Sequence, residues 1–179
     1  MRTLIVYYSF TGNNDILAND LKRRLSCDLL KIEEVKKRNG FTILLDIVFN
    51  RDARLKPHKV SLLDYDNFIF MAPIWVGRLA APLKTFLKNN RKEISRYSFI
   101  TVCGGVEGQK EKLTRKLIRL LHRPPEIVTE LWVADLLTGG KKGASVKTTG
   151  YQIARKDLVV FEDKIQEFLK VNQLKAQPV

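Results

Sequence analysis

Residues 3–14 read TLIVYYSFTGNN, a strand-like run that is followed at once by a short polar loop. The β-branched, aromatic and aliphatic residues at 3–8 are typical of a buried strand. The loop at 9–14 contains one glycine and leads into an amphipathic pattern with helical spacing. A strand, a short loop and a helix in this order indicate the first half of a βαβ unit, in which crossover helices connect the strands of a parallel sheet.

The same alternation continues along the chain. We predict strands at 3–8, 28–33, 67–72, 97–103 and 127–134, and helices at 13–26, 80–90, 109–122 and 151–171. The apolar run 41–49 fits a helix or an additional strand, and we favour a helix because a crossover is needed there. The predicted fold class is α/β, a doubly wound five-stranded parallel sheet with helices on both faces, in a single domain spanning 1–179.

The composition limits the class of protein. Hydrophobic residues make up 45% of the 179 residues and charged residues 28%, as in ordinary globular domains. No apolar stretch reaches the roughly 20 residues of a spanning helix, and no secretory signal is visible, so we expect no transmembrane segment. The two cysteines lack a disulfide or metal-type spacing, and both histidines are isolated. We therefore expect a cytoplasmic protein with no bound metal.

The charge is unusual, because 32 Lys+Arg against 19 Asp+Glu give a net charge of +13. Residues 78–123 hold twelve Lys+Arg and three Asp+Glu, which places +9 of this charge in one segment. Three interpretations stay open for it: a solvated outer face, a docking surface for an acidic redox partner, or a peripheral contact with an anionic membrane. Nucleic acid is not expected as a partner, because the basic helix lacks interleaved aromatic residues.

Three loops are candidates for chemistry, because ligands of a doubly wound sheet bind beyond the carboxyl ends of its strands. The loop at 9–14 offers hydroxyls, a glycine and helix N-terminal N–H groups for a phosphate, or it simply caps the helix. At 73–78, Trp75 offers a stacking surface or serves as a core anchor. The Gly-rich turn at 103–108 could reach ring heteroatoms or only connect strand to helix. Cys103 is interpreted as a small buried hydrophobe.

The order and spacing of these loops carry a family resemblance. The matching residues are Ser9-x-Thr11-Gly12-Asn13, Tyr65-Asp66, Pro73-Ile74-Trp75-x-Gly77 followed by Pro82 and Phe86-Leu87, and Gly104-Gly105. Over residues 1 to about 122 they resemble the flavodoxin-like FMN-binding proteins, whereas the final strand and helix agree only in pattern. The resemblance implies the strand order 2-1-3-4-5 and a non-covalent FMN cofactor.

The resemblance also implies a role for each loop. The FMN phosphate would lie against Ser9, Thr11, Gly12, Asn13 and Asn14, and Phe10 of the same loop would also contact the cofactor. Pro73, Ile74, Trp75, Val76 and Gly77 would flank the isoalloxazine, and Cys103, Gly104 and Gly105 would line its other side. This chain departs from the family at position 14, where many relatives carry Thr, and in its charge, since electron-carrier flavodoxins are typically strongly acidic. Arg78 either makes the flavin easier to reduce or is a solvated side chain.

Three functions remain open. The first is an electron carrier that moves electrons between partner proteins through FMN. The second is an FMN-dependent oxidoreductase that takes hydride from NAD(P)H and passes it to a quinone or similar small-molecule acceptor. The third is a flavin-poor binding module that uses its basic face. The Gly- and Lys-rich stretch 138–145 lacks Walker spacing, and we interpret it as a mobile loop that could cover the flavin.

Overall fold

The computed structural model describes residues 1–36, 38–139, 148 and 150–174. The five strands of the main sheet are β1 (Thr3–Tyr7), β2 (Asp28–Lys31), β3 (Asn67–Met71), β6 (Tyr97–Cys103) and β7 (Val128–Trp132). Two short strands, β4 (Ile74–Trp75) and β5 (Arg78–Leu79), pair antiparallel as a hairpin. The helices are α1 (Asn13–Leu25), α2 (Gly40–Phe49), α3 (Ala81–Asn89), α4 (Gln109–Leu121), α5 (Val133–Thr138) and α6 (Glu162–Leu174), with 3-10 helices at Leu62–Asp64 and Arg155–Phe161.

The main sheet has the order β2-β1-β3-β6-β7, and every neighbouring pair in it is parallel. With the hairpin strands left out of the numbering, this is the order 2-1-3-4-5, so the predicted fold class is confirmed. Placing β1 beside both β2 and β3 reverses the direction of winding at β1. Neighbouring connections therefore diverge to opposite faces at this point, which is where ligands of such sheets bind.

The core lies on both faces of the sheet, because alternate side chains of a strand point to opposite sides. Leu4 and Val6 of β1 belong to the cluster that packs under α3 and α4. Ile5 and Tyr7 belong to the cluster that packs under α1 and α6. Every residue of β3 and β6 is buried, as expected for central parallel strands that are covered on both faces.

The end of the chain differs from the sequence prediction. The last strand ends at Trp132 rather than at 134, because its partner β6 ends at Cys103, the residue paired with Trp132. The chain turns directly into α5, and Ala134 N donates to Gly104 O at 3.3 Å. The last helix begins at Glu162, after a 3-10 helix that buries Leu158 and Phe161. Of the predicted loop at 138–145, positions 140–145 lie outside the described residues.

Helix α2 confirms the preference for a helix at 41–49, but it packs unusually. Its N-terminus is fixed by a capping box between Asn39 and Thr42. None of its residues is fully buried, and its outward-facing apolar side chains are 54% to 67% exposed: Phe41, Leu44, Val48 and Phe49.

In the described parts of the chain, no helix combines the length and apolar character needed to cross a bilayer.

Candidate functional site

The structure brings the three predicted loops to one edge of the sheet, because β1, β3 and β6 are neighbours and parallel. Phe10 of the first loop and Trp75 of the second meet edge to face, with ring centroids 5.9 Å apart. The first loop also contacts the end of β6, since Asn14 Oδ1 accepts a hydrogen bond from Val102 N at 3.1 Å. The first loop therefore contacts both the second loop and the strand that leads into the third loop.

The first loop leaves open space at Gly12, which caps the N-terminus of α1. Gly12 has φ = 96°, a left-handed conformation that favours glycine, and an added Cβ would meet no heavy atom within 4 Å. Ser9 Oγ accepts a hydrogen bond from Asp15 N at 3.3 Å, so this hydroxyl supports the first turn of the helix. The remaining N–H groups of a first helical turn have no intrahelical acceptor, which makes this an anion-compatible position.

The side chains of Asn13 and Asn14 are engaged within the protein. Asn13 Nδ2 donates to Tyr151 O at 2.8 Å, and Asn13 Oδ1 accepts from Ile153 N at 3.0 Å. Asn14 is also buried, with its amide oxygen bound to β6. The two amides therefore hold the loop in place, and a phosphate at this position would meet their backbone N–H groups.

The second loop is a hairpin with a strained turn. Val76 and Gly77 connect β4 to β5 and both have positive φ, 49° and 69°, as a two-residue type I′ turn requires. Valine is β-branched and disfavours the left-handed region, so position 76 stores strain. The Val76 side chain is 85% exposed, so burial does not offset this strain. Strained residues of this kind cluster at binding and active sites.

Trp75 anchors this hairpin to the body of the protein. Its ring is half-buried, lies edge to face with Tyr8 at 6.2 Å as well as with Phe10, and has the Arg38 guanidinium carbon 6.0 Å from its centroid. These contacts match the core-anchor interpretation of Trp75. Its role as a stacking surface stays a prediction. Pro73 and Ile74, which precede it, are partly buried at the end of β3.

The third loop begins with a buried thiol. Gln109 Nε2 lies 3.4 Å from Cys103 Sγ. Burial, reinforced by the nearby Glu130 carboxylate, raises the pKa of Cys103 to about 12, so the thiol stays protonated at neutral pH. Only the thiolate is a nucleophile, so Cys103 is unsuited to covalent catalysis. Its environment agrees with the interpretation of a small buried hydrophobe.

The two glycines that follow have side chains packed close against them. A Cβ on Gly104 would lie 2.6 Å from Thr148 Oγ1, and one on Gly105, where φ is 92°, would lie 2.8 Å from the Trp132 ring. Neither Trp132 nor Thr148 is among the site residues predicted from the sequence. Trp132 is the last residue of β7 and lies at the same edge of the sheet. Because ligands of such sheets bind beyond the carboxyl ends of the strands, its position in the predicted last strand is the signal that could have identified it. Nothing in the local sequence marks Thr148.

The Trp132 side chain is fixed in position by a hydrogen bond and by a nearby cation. Trp132 Nε1 donates to Glu130 Oε2 at 3.1 Å, and Gln109 Nε2 donates to Glu130 Oε1 at 2.8 Å. Lys164 Nζ lies 5.8 Å from the indole centroid and pairs with Asp135 at 3.1 Å. The indole therefore forms a rigid wall beside the Gly104–Gly105 backbone.

Each of the three loops also carries one exposed apolar side chain: Phe10, Val76 and Val106. The three loops lie at the same edge of the sheet, and exposed apolar side chains in such a position suit contact with an apolar body. Within the described ranges, no three His, Cys, Asp or Glu side chains are grouped so that they could hold a metal ion.

No family model matches the sequence, and no curated protein matches it. Solved structures do. A flavoprotein from Lactobacillus acidophilus NCFM in complex with FMN has a TM-score of 0.63 and 17% identity, covering 78% of this chain and 99% of that one. A Bacteroides eggerthii DSM 20697 protein, provisionally assigned as a flavoprotein, has a TM-score of 0.62 and 15% identity, covering 92% of this chain and 98% of that one. At these identities the comparison establishes a shared fold.

Proposed function

We propose that this chain, whose fold is the flavodoxin-like α/β sheet, binds FMN without a covalent bond and uses it to transfer electrons. The observation that carries the proposal is the meeting of three loops at one sheet edge, with open space at Gly12 over a helix N-terminus. The similar Lactobacillus acidophilus structure, which is a complex with FMN, supports the same cofactor.

The phosphate end of FMN fits the first loop. Backbone N–H groups at the start of α1 and the hydroxyls of Ser9 and Thr11 are the groups that would hold it. The loop contains no Lys or Arg, so the helix dipole and hydrogen bonds would stabilise the negative charge. Asp15, in the first turn, does not oppose this, because Lys31 Nζ pairs with its carboxylate at 2.7 Å and Tyr7 donates to it at 3.0 Å.

The ring end fits the other two loops. Phe10, Val76 and Val106 would contact the apolar parts of the isoalloxazine, and the Gly104–Gly105 backbone would face its polar edge. When bound, FMN supplies one- and two-electron redox chemistry that amino-acid side chains lack. The protein contributes position and exclusion of water, and the fixed Trp132 wall keeps the third loop from collapsing.

An electron carrier is the function we favour. The exposed side chains of Phe10, Val76 and Val106 and the basic segment 78–123 suit contact with a redox partner protein that has an acidic surface. Both cysteines are free, which fits a reducing compartment such as the cytoplasm.

The second candidate function is an FMN-dependent reductase. A cavity of about 340 Å³ beside Trp75 and Gly77 favours it, because a small substrate would need such a space.

Titration of the purified protein with FMN tests the shared part of both candidates. We expect quenched flavin fluorescence and a shifted absorption band, and no binding at saturating FMN would contradict both and leave the flavin-poor binding module. Anaerobic mixing of the FMN complex with NADPH then separates them. Rapid bleaching of the flavin supports the reductase, whereas reduction that requires a partner reductase supports the carrier.

A further inference from the structure

Five positively charged side chains line a cavity that borders the β4–β5 hairpin. The cavity, of about 340 Å³, is enclosed by α2, the β4–β5 hairpin, the start of α3, and α4. Its charged lining is Arg78, Lys84, Lys112, Lys116 and Arg119, with Asp46 as the one carboxylate. Arg78 pairs directly with Trp75 across the hairpin, so the two side chains lie on the same face and both border the cavity.

Two of these charges are already balanced. Lys84 Nζ is 3.0 Å from Asp52 and also binds main-chain oxygens, so it acts within the protein. Asp46 pairs with Arg38. Within the described residues, no carboxylate lies at ion-pair distance from Arg78, Lys112, Lys116 or Arg119. Four cations therefore face one cavity without a counter-charge from these parts of the chain.

This arrangement is electrostatically unfavourable for the protein alone. Desolvation lowers the pKa of Lys116, and the positive charges of Arg119, Lys84 and Arg78 lower it further. Lys112 and Lys116 are also like charges at i, i+4 on one helix, a spacing that destabilises a helix. A bound anion would offset this repulsion and so stabilise the four cations in the cavity.

We propose that this cavity binds a multiply charged oxyanion, a phosphoryl or pyrophosphoryl group, carried by an organic ligand. A guanidinium such as Arg78 can bind two phosphate oxygens at once, and lysines add charge without fixed geometry. The remaining wall includes Trp75, Leu79 and Ile47, which suit an organic body. The same chemistry occurs in a soluble organic phosphate and in an anionic lipid headgroup. The lipid source is relevant because the exposed apolar face of α2 flanks the cavity.

The ligand would lie beside the hairpin that we propose to flank the flavin. Its participation in electron transfer therefore rests on the proposed function. Its binding does not, because Lys112, Lys116 and Arg119 of the cavity lie on α4, outside all three candidate flavin loops.

Calorimetric titration with inorganic pyrophosphate, on the full chain with and without FMN, tests the proposal. We expect the Lys112→Ala/Lys116→Ala protein to bind pyrophosphate about tenfold more weakly or worse, because charge-assisted hydrogen bonds are lost. The matched control is Lys110→Ala/Lys156→Ala, which removes the same charge from exposed positions outside the cavity. It should change the affinity less than about twofold.

Sedimentation with vesicles of phosphatidylglycerol and phosphatidylcholine distinguishes the two sources. Pyrophosphate binding that depends on the cavity lysines supports a soluble organic phosphate. Vesicle binding that depends on the same lysines, without pyrophosphate binding, supports a lipid headgroup. The proposal is overturned if neither probe binds, or if the control loses as much affinity as the cavity variant, since that would be general attraction to a basic protein. FMN titration of each variant reports separately on the proposed function, and thermal melts report on folding.

Discussion

Lys84 donates from its buried ammonium to the main-chain oxygen of Asn50 at 2.8 Å, and thereby ties α3 to the end of α2. The same ammonium donates to Arg51 O at 2.7 Å. A cation at a helix C-terminus interacts favourably with the helix dipole. Because no residue of α2 is fully buried, this attachment contributes to holding the helix in place.

We therefore expect Lys84→Met to detach α2. Leaving the carbonyls of Asn50 and Arg51 without their donor should lower the free energy of unfolding by about 2 kcal/mol. Hydrogen exchange should show lost protection in α2 with the main sheet unchanged. The control is Lys88→Met, which removes a more exposed partner of the same Asp52 and should cost less than about 1 kcal/mol. Unchanged α2 protection in Lys84→Met would refute the attachment.

Gly12→Ala should weaken FMN binding. The left-handed backbone at position 12 costs an alanine about 1–2 kcal/mol, so the loop is expected to shift away from the geometry that leaves the helix N-terminus open. FMN fluorescence quenching measures the effect. Gly40→Ala is the matched control, because Gly40 also has open space around it but no positive φ. Equal affinities in the two variants would mean that the phosphate lies elsewhere.

Val76→Asn should stabilise the protein. Asparagine tolerates positive φ better than valine, so the type I′ turn should gain about 1 kcal/mol, measured by denaturant unfolding. The same change removes an exposed apolar side chain, and we expect weaker FMN binding. Val159→Asn, at an exposed valine without positive φ, should bring neither effect. A gain in stability with FMN affinity unchanged would show that the Val76 side chain does not contact the flavin.

Gly105→Ala should destabilise the protein through Trp132. The added methyl group would sit 2.8 Å from the indole in a strained backbone, and we expect a loss of about 2 kcal/mol or more. In a Trp132→Ala background the contacts of the added methyl group with the ring atoms Cγ and Cδ2 are removed, and the contact with the Cβ of residue 132, at 2.9 Å, remains. The further cost of Gly105→Ala should therefore be smaller than in the original protein. Additive effects of the two changes in a double-mutant cycle would contradict the contact.

The pH dependence of stability should include a contribution from Glu162. Hydrogen bonds from Arg24 and Gln166 lower the pKa of Glu162 to about 2, below its ordinary value near 4.5. Between these values the unfolded chain binds the proton more readily, so stability is full above about pH 4.5 and falls as the pH drops toward 2. Unfolding midpoints measured across this window should change less in Glu162→Gln, and an identical slope would exclude the contribution.

Much of the fold could be predicted because buried parallel strands are apolar on both faces. The run 97–103 was placed correctly for this reason. The β4–β5 hairpin was missed, since two-residue strands are too short for a periodic signal and Val76-Gly77 is not a usual hairpin turn. The last helix was predicted too long, because Leu158 and Phe161 in the 3-10 helix continue the apolar spacing of α6.

The meeting of the three loops at one sheet edge could be predicted, but the contacts that they make could not. Sheet topology alone brings 9–14, 73–78 and 103–108 to one edge. The partners of Asn13, more than a hundred residues away at Tyr151 and Ile153, could not be read from local pattern. The same holds for Gly105, whose requirement for glycine comes from Trp132.

The two hydrogen bonds of Asn13 connect the loop at 9–14 directly to residues 151–153. Fixing the loop at the start of α1 also fixes the backbone that leads into the last helices, because one amide side chain holds both. A ligand bound at this loop would therefore be thermodynamically linked to the position of residues 151–153, and the coupling would have the same size in both directions. A substitution near Tyr151 can thus tune affinity at a distance, without touching the ligand.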